Sequence, residues 1–226
     1  MNHILAIPAA ICCVLVAYST LNAELANKIK VLHIMGTPSD EEKNLDKRQV
    51  LLFSLTLGII CYGAIVMLFR HTGELINRLK MLVALVCLTG AACNDYREQR
   101  IPNIFPLAMA VVGLLCLAMG YLTSQNGAVS YIAGSLVAAV LVTACMSMVA
   151  LLTKNGIGMG DIKLLGALAL AGGIYAVGGT LFYGVIACSL AAIVLLILKK
   201  KTIKESLPFG PFIFIGYIVS IFTSFY

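Results

Sequence analysis

Apolar residues run along this chain in long unbroken stretches, and polar residues are confined to the segments between them. Eight such stretches cover residues 4–23, 50–69, 81–93, 104–122, 128–152, 162–177, 180–198 and 208–225. A run of about 20 apolar residues wound as a helix crosses a hydrocarbon layer about 30 Å thick. The runs do not alternate in short strands of about 10 residues, as a membrane β-barrel would require. The pattern therefore predicts an all-α, polytopic membrane helix bundle of about eight transmembrane helices. The stretches 81–93 and 162–177 are short for a full crossing. The first of these extends back through Ile76 if Arg78 and Lys80 carry their charges out to the interface.

Composition agrees with the pattern. Of 226 residues, 61% are hydrophobic and 12% charged, with a mean hydropathy of +0.99; soluble domains carry about 25% charged residues. The net charge of +6 does not point to nucleic acid, because the cations sit mostly in loops between apolar runs. There they act as topology signals and as anchors for anionic membrane lipid. With eight alternating spans, one side holds 13 Lys and Arg residues, and the other holds only Arg70, Arg78 and Lys80. The positive-inside rule makes the 13-residue side cytoplasmic and puts both termini outside. No Lys or Arg precedes the first span, so a retained helix is expected there instead of a cleaved signal peptide. The mixed-charge loop 24–49, with a turn at Gly36, Thr37 and Pro38, reads as a solvated segment.

Little in the spans themselves offers chemistry. The eight cysteines lie in or at the ends of apolar runs with no Cys-x-x-Cys pair, so they read as packing residues and no metal is expected. His3, His33 and His71 are too distant in sequence to activate Cys93 as a nucleophile. No span core carries an ionisable residue, which argues against a proton-coupled carrier. Among the cytoplasmic-side carboxylates, Glu98 and Glu205 lie beside basic residues and read as solvated loop charge.

Two carboxylates differ. Asp95 ends the third span, within Cys93-Asn-Asp-Tyr-Arg-Glu-Gln-Arg-Ile-Pro-Asn103, and Asp161 opens the sixth, within Gly156-Ile-Gly-Met-Gly-Asp-Ile-Lys163. Two crossings separate them, so both return to the same face at similar depth. Like charges a few ångströms apart resist joint ionisation, so one partner keeps its proton. The ionised one can then take a proton from water while the other donates to a carbonyl oxygen. Glycines 156, 158 and 160 would let a substrate backbone or a neighbouring helix come close.

Structural readings of these residues stand beside the chemical one. Asp161 can be a helix N-cap with Lys163 as an interfacial anchor. Asp95 can be a loop carboxylate paired with Arg97 or Arg100. Pro102 and Asn103 suit a helix start, with substrate contact as the second reading. Pro208-Phe-Gly-Pro211 opens the eighth span and is either a delayed helix start or a stretch of non-helical backbone able to hold an extended substrate. The residues alone leave these pairs of readings open.

Taken together the motifs resemble the prepilin peptidase family, the GxGD-type aspartyl proteases that mature type IV and Flp/Tad pilins. Asp95 followed by basic residues and Ile101-Pro-Asn103, then Gly158-Met-Gly-Asp-Ile-Lys163, then Pro208-Phe-Gly-Pro211 occur in the family's order, and the resemblance covers about residues 80–226. It implies a six-helix peptidase core at 80–226 preceded by a two-helix membrane extension at 1–79. Asp95 and Asp161 would be the catalytic pair, with no metal or other cofactor. Gly158, Gly160, Lys163, Pro102, Asn103, Pro208, Gly210 and Pro211 would shape the site or bind substrate. The implied substrate is a prepilin or pseudopilin precursor, cut at the cytoplasmic boundary of the bacterial inner membrane, with pilus or secretion assembly proteins as further partners. Bifunctional members carry a methyltransferase region with two Cys-x-x-Cys pairs; their absence here argues for a peptidase-only form. A membrane scaffold or a small-solute carrier is the reading of a different class.

Overall fold

The computed structural model describes residues 10–19, 54–68, 75–123, 128–153, 157–198 and 207–223. The loop 24–49 with its turn at 36–38, Arg70, Gly156, the lysine run 199–201, Lys204, Glu205 and the Arg97 side chain lie outside the described residues, as do the outer parts of the first two expected spans.

Among the described residues every regular element is a helix: α1 Ala10–Ser19, α2 Ser54–Leu68, α3 Leu75–Glu98, α4 Ile104–Thr123, α5 Ala128–Leu152, α6 Met159–Ile197 and α7 Gly210–Phe222. This is the form an apolar chain must take in lipid, where a helix satisfies its own backbone hydrogen bonds. Windows in α3, α5 and α6 are long and apolar enough to cross a membrane, with mean hydropathies of 1.5, 2.4 and 2.5.

α4 and α5 match the expected spans 104–122 and 128–152 to within a residue. α3 is longer than expected at both ends, so Asp95 lies inside its last turn and not in a loop. The backward extension is present, but Lys80 does not reach out from it: the residue is only 2% exposed. The helix turns Lys80 into the bundle, and a position near a span end does not guarantee an outward face.

The sixth and seventh expected spans appear as two arms of α6. The break falls at Gly173, with φ 76° and ψ −174°, and not between Val177 and Thr180. That conformation is open essentially to glycine alone. Thirty-nine residues in one straight helix would extend ~58 Å, yet Asp161 near one end and Val185 and Cys188 near the other line one cleft. The second arm therefore folds back beside the first.

Small residues decide which helices touch. A Cβ on Gly166 would fall on the Thr143 hydroxyl of α5, and one on Gly113 would lie 3.2 Å from the Ala171 Cα, so the first arm is seated against α5 and α4. The second arm lies against α7: a Cβ on Gly184 would meet the Phe212 carbonyl oxygen at 2.9 Å, and one on Gly216 would overlap that of Thr180. α7 runs along α3, where the Tyr217 hydroxyl donates to the Met81 carbonyl at 2.9 Å. α1 and α2 reach α3 near Thr89 and Gly90, through Cys61 and Val16. Leu85, Leu88, Leu164, Leu165, Leu168, Ile213 and Tyr217 form the centre of the buried core.

Candidate active site

Each of the two aspartates lies at a helix N-terminus, by different routes. The first amides of a helix have no partner within it, and carboxylates are favoured there by the helix dipole. Asp95 comes to such an end from another helix: its Oδ2 accepts a 2.7 Å hydrogen bond from the Gly210 N–H, the first residue of α7. A Cβ on residue 210 would come within 2.8 Å of the Asp95 Cβ, so only glycine permits this approach. Pro211 follows in the first turn, where a missing N–H costs no helical hydrogen bond. Phe209 ahead of it caps α7 with φ −87° and ψ −25°, and its carbonyl accepts the Phe212 and Ile213 N–H groups at 3.0 Å, so the helix starts just after Pro208, as the delayed-start reading of that motif has it.

Asp161 belongs to its own helix. Gly158 is the N-cap of α6, so Asp161 is the third residue of the helix and not its cap. Its carboxylate turns back over the Gly158 backbone, where a Cβ would lie 3.1 Å from Oδ2. The other oxygen, Oδ1, is buried without a hydrogen-bond partner. Both side chains are largely enclosed, Asp95 at 6% and Asp161 at 7% exposure.

The Ile101–Asn103 segment locks the start of α6 in place. A Cβ on Gly160 would meet the Ile101 Cβ at 2.9 Å, and Lys163 Nζ donates to Asn103 Oδ1 at 3.1 Å. Asn103 precedes the first residue of α4, and its carbonyl accepts the Leu107 N–H at 3.1 Å. Pro102 thus lies outside the helix and not at its first position.

Asp95 and Asp161 share a cleft of about 630 Å³. Gly158, Gln99, Pro208 and Phe209 line it with them, as do Met146 and Val149 of α5 and Leu181, Val185 and Cys188 of the second arm. Of the residues singled out from the sequence, Asp95, Asp161, Gly158 and Pro208 line the cleft. Gly160, Lys163, Asn103 and Gly210 pack and bond behind it, Pro102 lies ahead of α4, and Pro211 lies in the first turn of α7. Sequence reasoning passed over Gln99, Phe209, Cys188 and the aliphatic wall. Gln99 has a left-handed backbone, φ 51°, where α3 ends, and a helix end shortly before Pro102 is the signal that points to it. The aliphatic residues carry no signal, since every span is rich in them. Among the described residues, no three His, Cys, Asp or Glu side chains gather where they could hold a metal ion.

An apolar helix bundle with two buried carboxylates on one cleft defines a membrane protein with a candidate acid–base site. The profile of the Type IV leader peptidase family matches residues 81–197, and the chain belongs to that family. It is accordingly a membrane peptidase. The matched stretch contains both aspartates and ends before Pro208. Comparison with curated proteins and with solved structures gives no match.

Proposed function

We propose that this protein is an aspartyl endopeptidase that removes the leader from prepilin- or pseudopilin-like precursors at the cytoplasmic boundary of the inner membrane. The observation that carries the reading is the pairing of Asp95 and Asp161 on one cleft, from helices distant in sequence, with Asp161 Oδ1 buried and unpartnered. That oxygen is available to a water or a scissile carbonyl, whereas Asp95 Oδ2 is already engaged by Gly210.

In this mechanism the pair holds one proton. The ionised carboxylate takes a proton from water as the water oxygen bonds to the scissile carbonyl carbon, and the protonated one donates to the carbonyl oxygen. Collapse of the resulting diol breaks the C–N bond, with the pair returning a proton to the departing amine. The products are a leader ending in a carboxylate and a mature chain with a free amino terminus. Pro208 and Phe209 line the cleft just ahead of α7, where a substrate segment can lie beside them.

Orientation is supported by the excess of Lys and Arg on the side that holds both aspartates. A peptidase-only form is supported by the lack of Cys-x-x-Cys pairs in the sequence. The division into a 1–79 extension and an 80–226 core is part of the same proposal. So are the supporting roles of Lys163, Asn103 and the Pro208–Pro211 segment, and partnership with pilus or secretion assembly proteins. The test is co-expression with pilin-like precursors, read as precursor size on a gel. Asp95→Asn and Asp161→Asn each leave the precursor uncut while the protein still inserts; normal processing by either variant refutes the mechanism.

A further inference from the structure

We propose that Asp95 is the ionised partner that takes the proton from water, that Asp161 is the protonated partner that donates to the scissile carbonyl oxygen, and that the Gly210 amide is the positioning group that fixes this division. The inference rests on the endopeptidase reading and adds which carboxyl does what.

Three observations carry it. First, a donor is built into the site and serves one aspartate. The Gly210 N–H, the first of α7, reaches Asp95 Oδ2 at 2.7 Å. An N–H at that place has no acceptor within its own helix, and a hydrogen bond to the charged form of a carboxyl favours that form. Glycine at 210 permits the bond, since a Cβ there would lie 2.9 Å from the same Oδ2. Second, Asp161 is less well provided for as an anion. Its Oδ2 turns back over the Gly158 backbone, but Oδ1 is buried without a partner. A buried anionic oxygen without a donor is costly. The same oxygen carrying a proton is itself a donor, which a substrate carbonyl satisfies. Both aspartates lie at a helix N-terminus, so the helix dipoles favour charge on either and do not choose between them.

Third, the other titratable groups near the pair do not set the division. Met146 and Val149 of α5, and Pro208 and Phe209 ahead of α7, bring no charge to the cleft. The Cys188 thiol of the second arm lines it too, and a thiol ionises well above the carboxylate range. Lys163 is exposed and its Nζ donates to Asn103 Oδ1 at 3.1 Å, while Glu98 and Arg100 are exposed. The step then balances. As the water oxygen bonds to the carbonyl carbon, its proton passes to Asp95 and the Asp161 proton passes to the carbonyl oxygen. When the C–N bond breaks, Asp95 gives its proton to the departing amine and a diol hydroxyl returns one to Asp161.

The test replaces residue 210 of the full chain by glycolic acid, through stop-codon suppression in cell-free synthesis into lipid nanodiscs. An ester oxygen then stands where the N–H stood, and no helical N–H of α7 is lost. The readout is kcat/KM for a leader-bearing precursor against pH. Losing the donor destabilises only those states of the pair in which Asp95 is charged. If Asp95 ionises first, the acid limb of the profile moves up and the basic limb stays; if Asp161 ionises first, the basic limb moves up instead. The expected result is an acid limb raised by about 1 pH unit, the scale of one amide donor, with the basic limb unmoved. The control is an ester at Phe212, which removes the Phe212 N–H bond to the Phe209 carbonyl in the same turn. It should lower the rate and move neither limb. A raised basic limb, two unmoved limbs, the same shift from the Phe212 ester, or a residue-210 ester inactive at every pH overturns the assignment. If Asp161→Asn blocks cleavage but the limbs behave in one of those ways, only the division of roles fails. If Asp161→Asn cleaves normally, the endopeptidase reading fails and takes the division with it.

Discussion

The two arms of α6 are alike in sequence and opposite in position. Both are built from Leu, Ala, Ile, Val and Gly, and each could cover much of a membrane's thickness. Yet residues 164–171 of the first arm are all buried, whereas Phe182, Leu190, Ile193 and Ile197 of the second are each more than half exposed. Hydrophobicity cannot sort them, because lipid tails are as apolar as the bundle interior and exert no pull of that kind between helices. Backbone approach at small residues does the sorting. The first arm meets α5, α4 and α3 at Gly166, Ala171 and Gly172, while the second meets α7 at Thr180 and Gly184. The arm enclosed on several sides carries Asp161; the other forms one wall of the cleft.

Substitutions can break this contrast, and the largest effect is expected at the enclosed arm's own carboxylate. Asp161→Asn lowers leader cleavage by about 10³-fold or more, the scale of a lost general acid or base, with insertion unchanged on membrane fractionation. Next comes the seam of the second arm with α7. Gly216→Leu drives a side chain into the Thr180 and Gly184 backbone, which cannot rotate away. It should cost about 3 kcal/mol, the upper end for overpacking, as measured by unfolding in mixed micelles. Activity should fall with it, because α7 presents the Gly210 amide to Asp95.

The bend itself is a smaller lever. Gly173→Ala meets no neighbouring atom, so its whole effect is conformational: φ 76° with ψ −174° is strained for any residue with a Cβ. A loss of about 2 kcal/mol is expected, seen in the same unfolding assay; an unchanged midpoint would show that the arms do not need this break. The smallest effect belongs to the lipid-facing side. Leu190→Ala, at a position 60% exposed, should change stability by less than about 0.5 kcal/mol, and a large loss there would mean that a protein surface covers it.

The candidate site was legible in unequal parts. Asp95 and Asp161 could be paired from sequence because counting crossings fixes which side of a membrane each loop faces, whatever the packing. Lys163 and Asn103 were singled out as separate features, and only coordinates show them bonded to each other. Gly210 was noted for its place in a Pro-Phe-Gly-Pro run, and nothing local foretells that its amide would be the partner of Asp95, 115 residues away. Lys80 was misread because hydropathy locates a span's end but not which way each residue on the helix turns.

By itself the sequence determined a membrane helix bundle, the extents of α4 and α5, and the return of two acidic residues to one and the same end of it. Those properties follow from the length and order of the apolar runs, which are local to the chain. Only the tertiary structure decided that α6 turns back at Gly173, which arm is enclosed, and which backbone amide holds Asp95. Inside lipid these choices rest on a few close approaches between small residues, and such contacts join positions far apart in the chain.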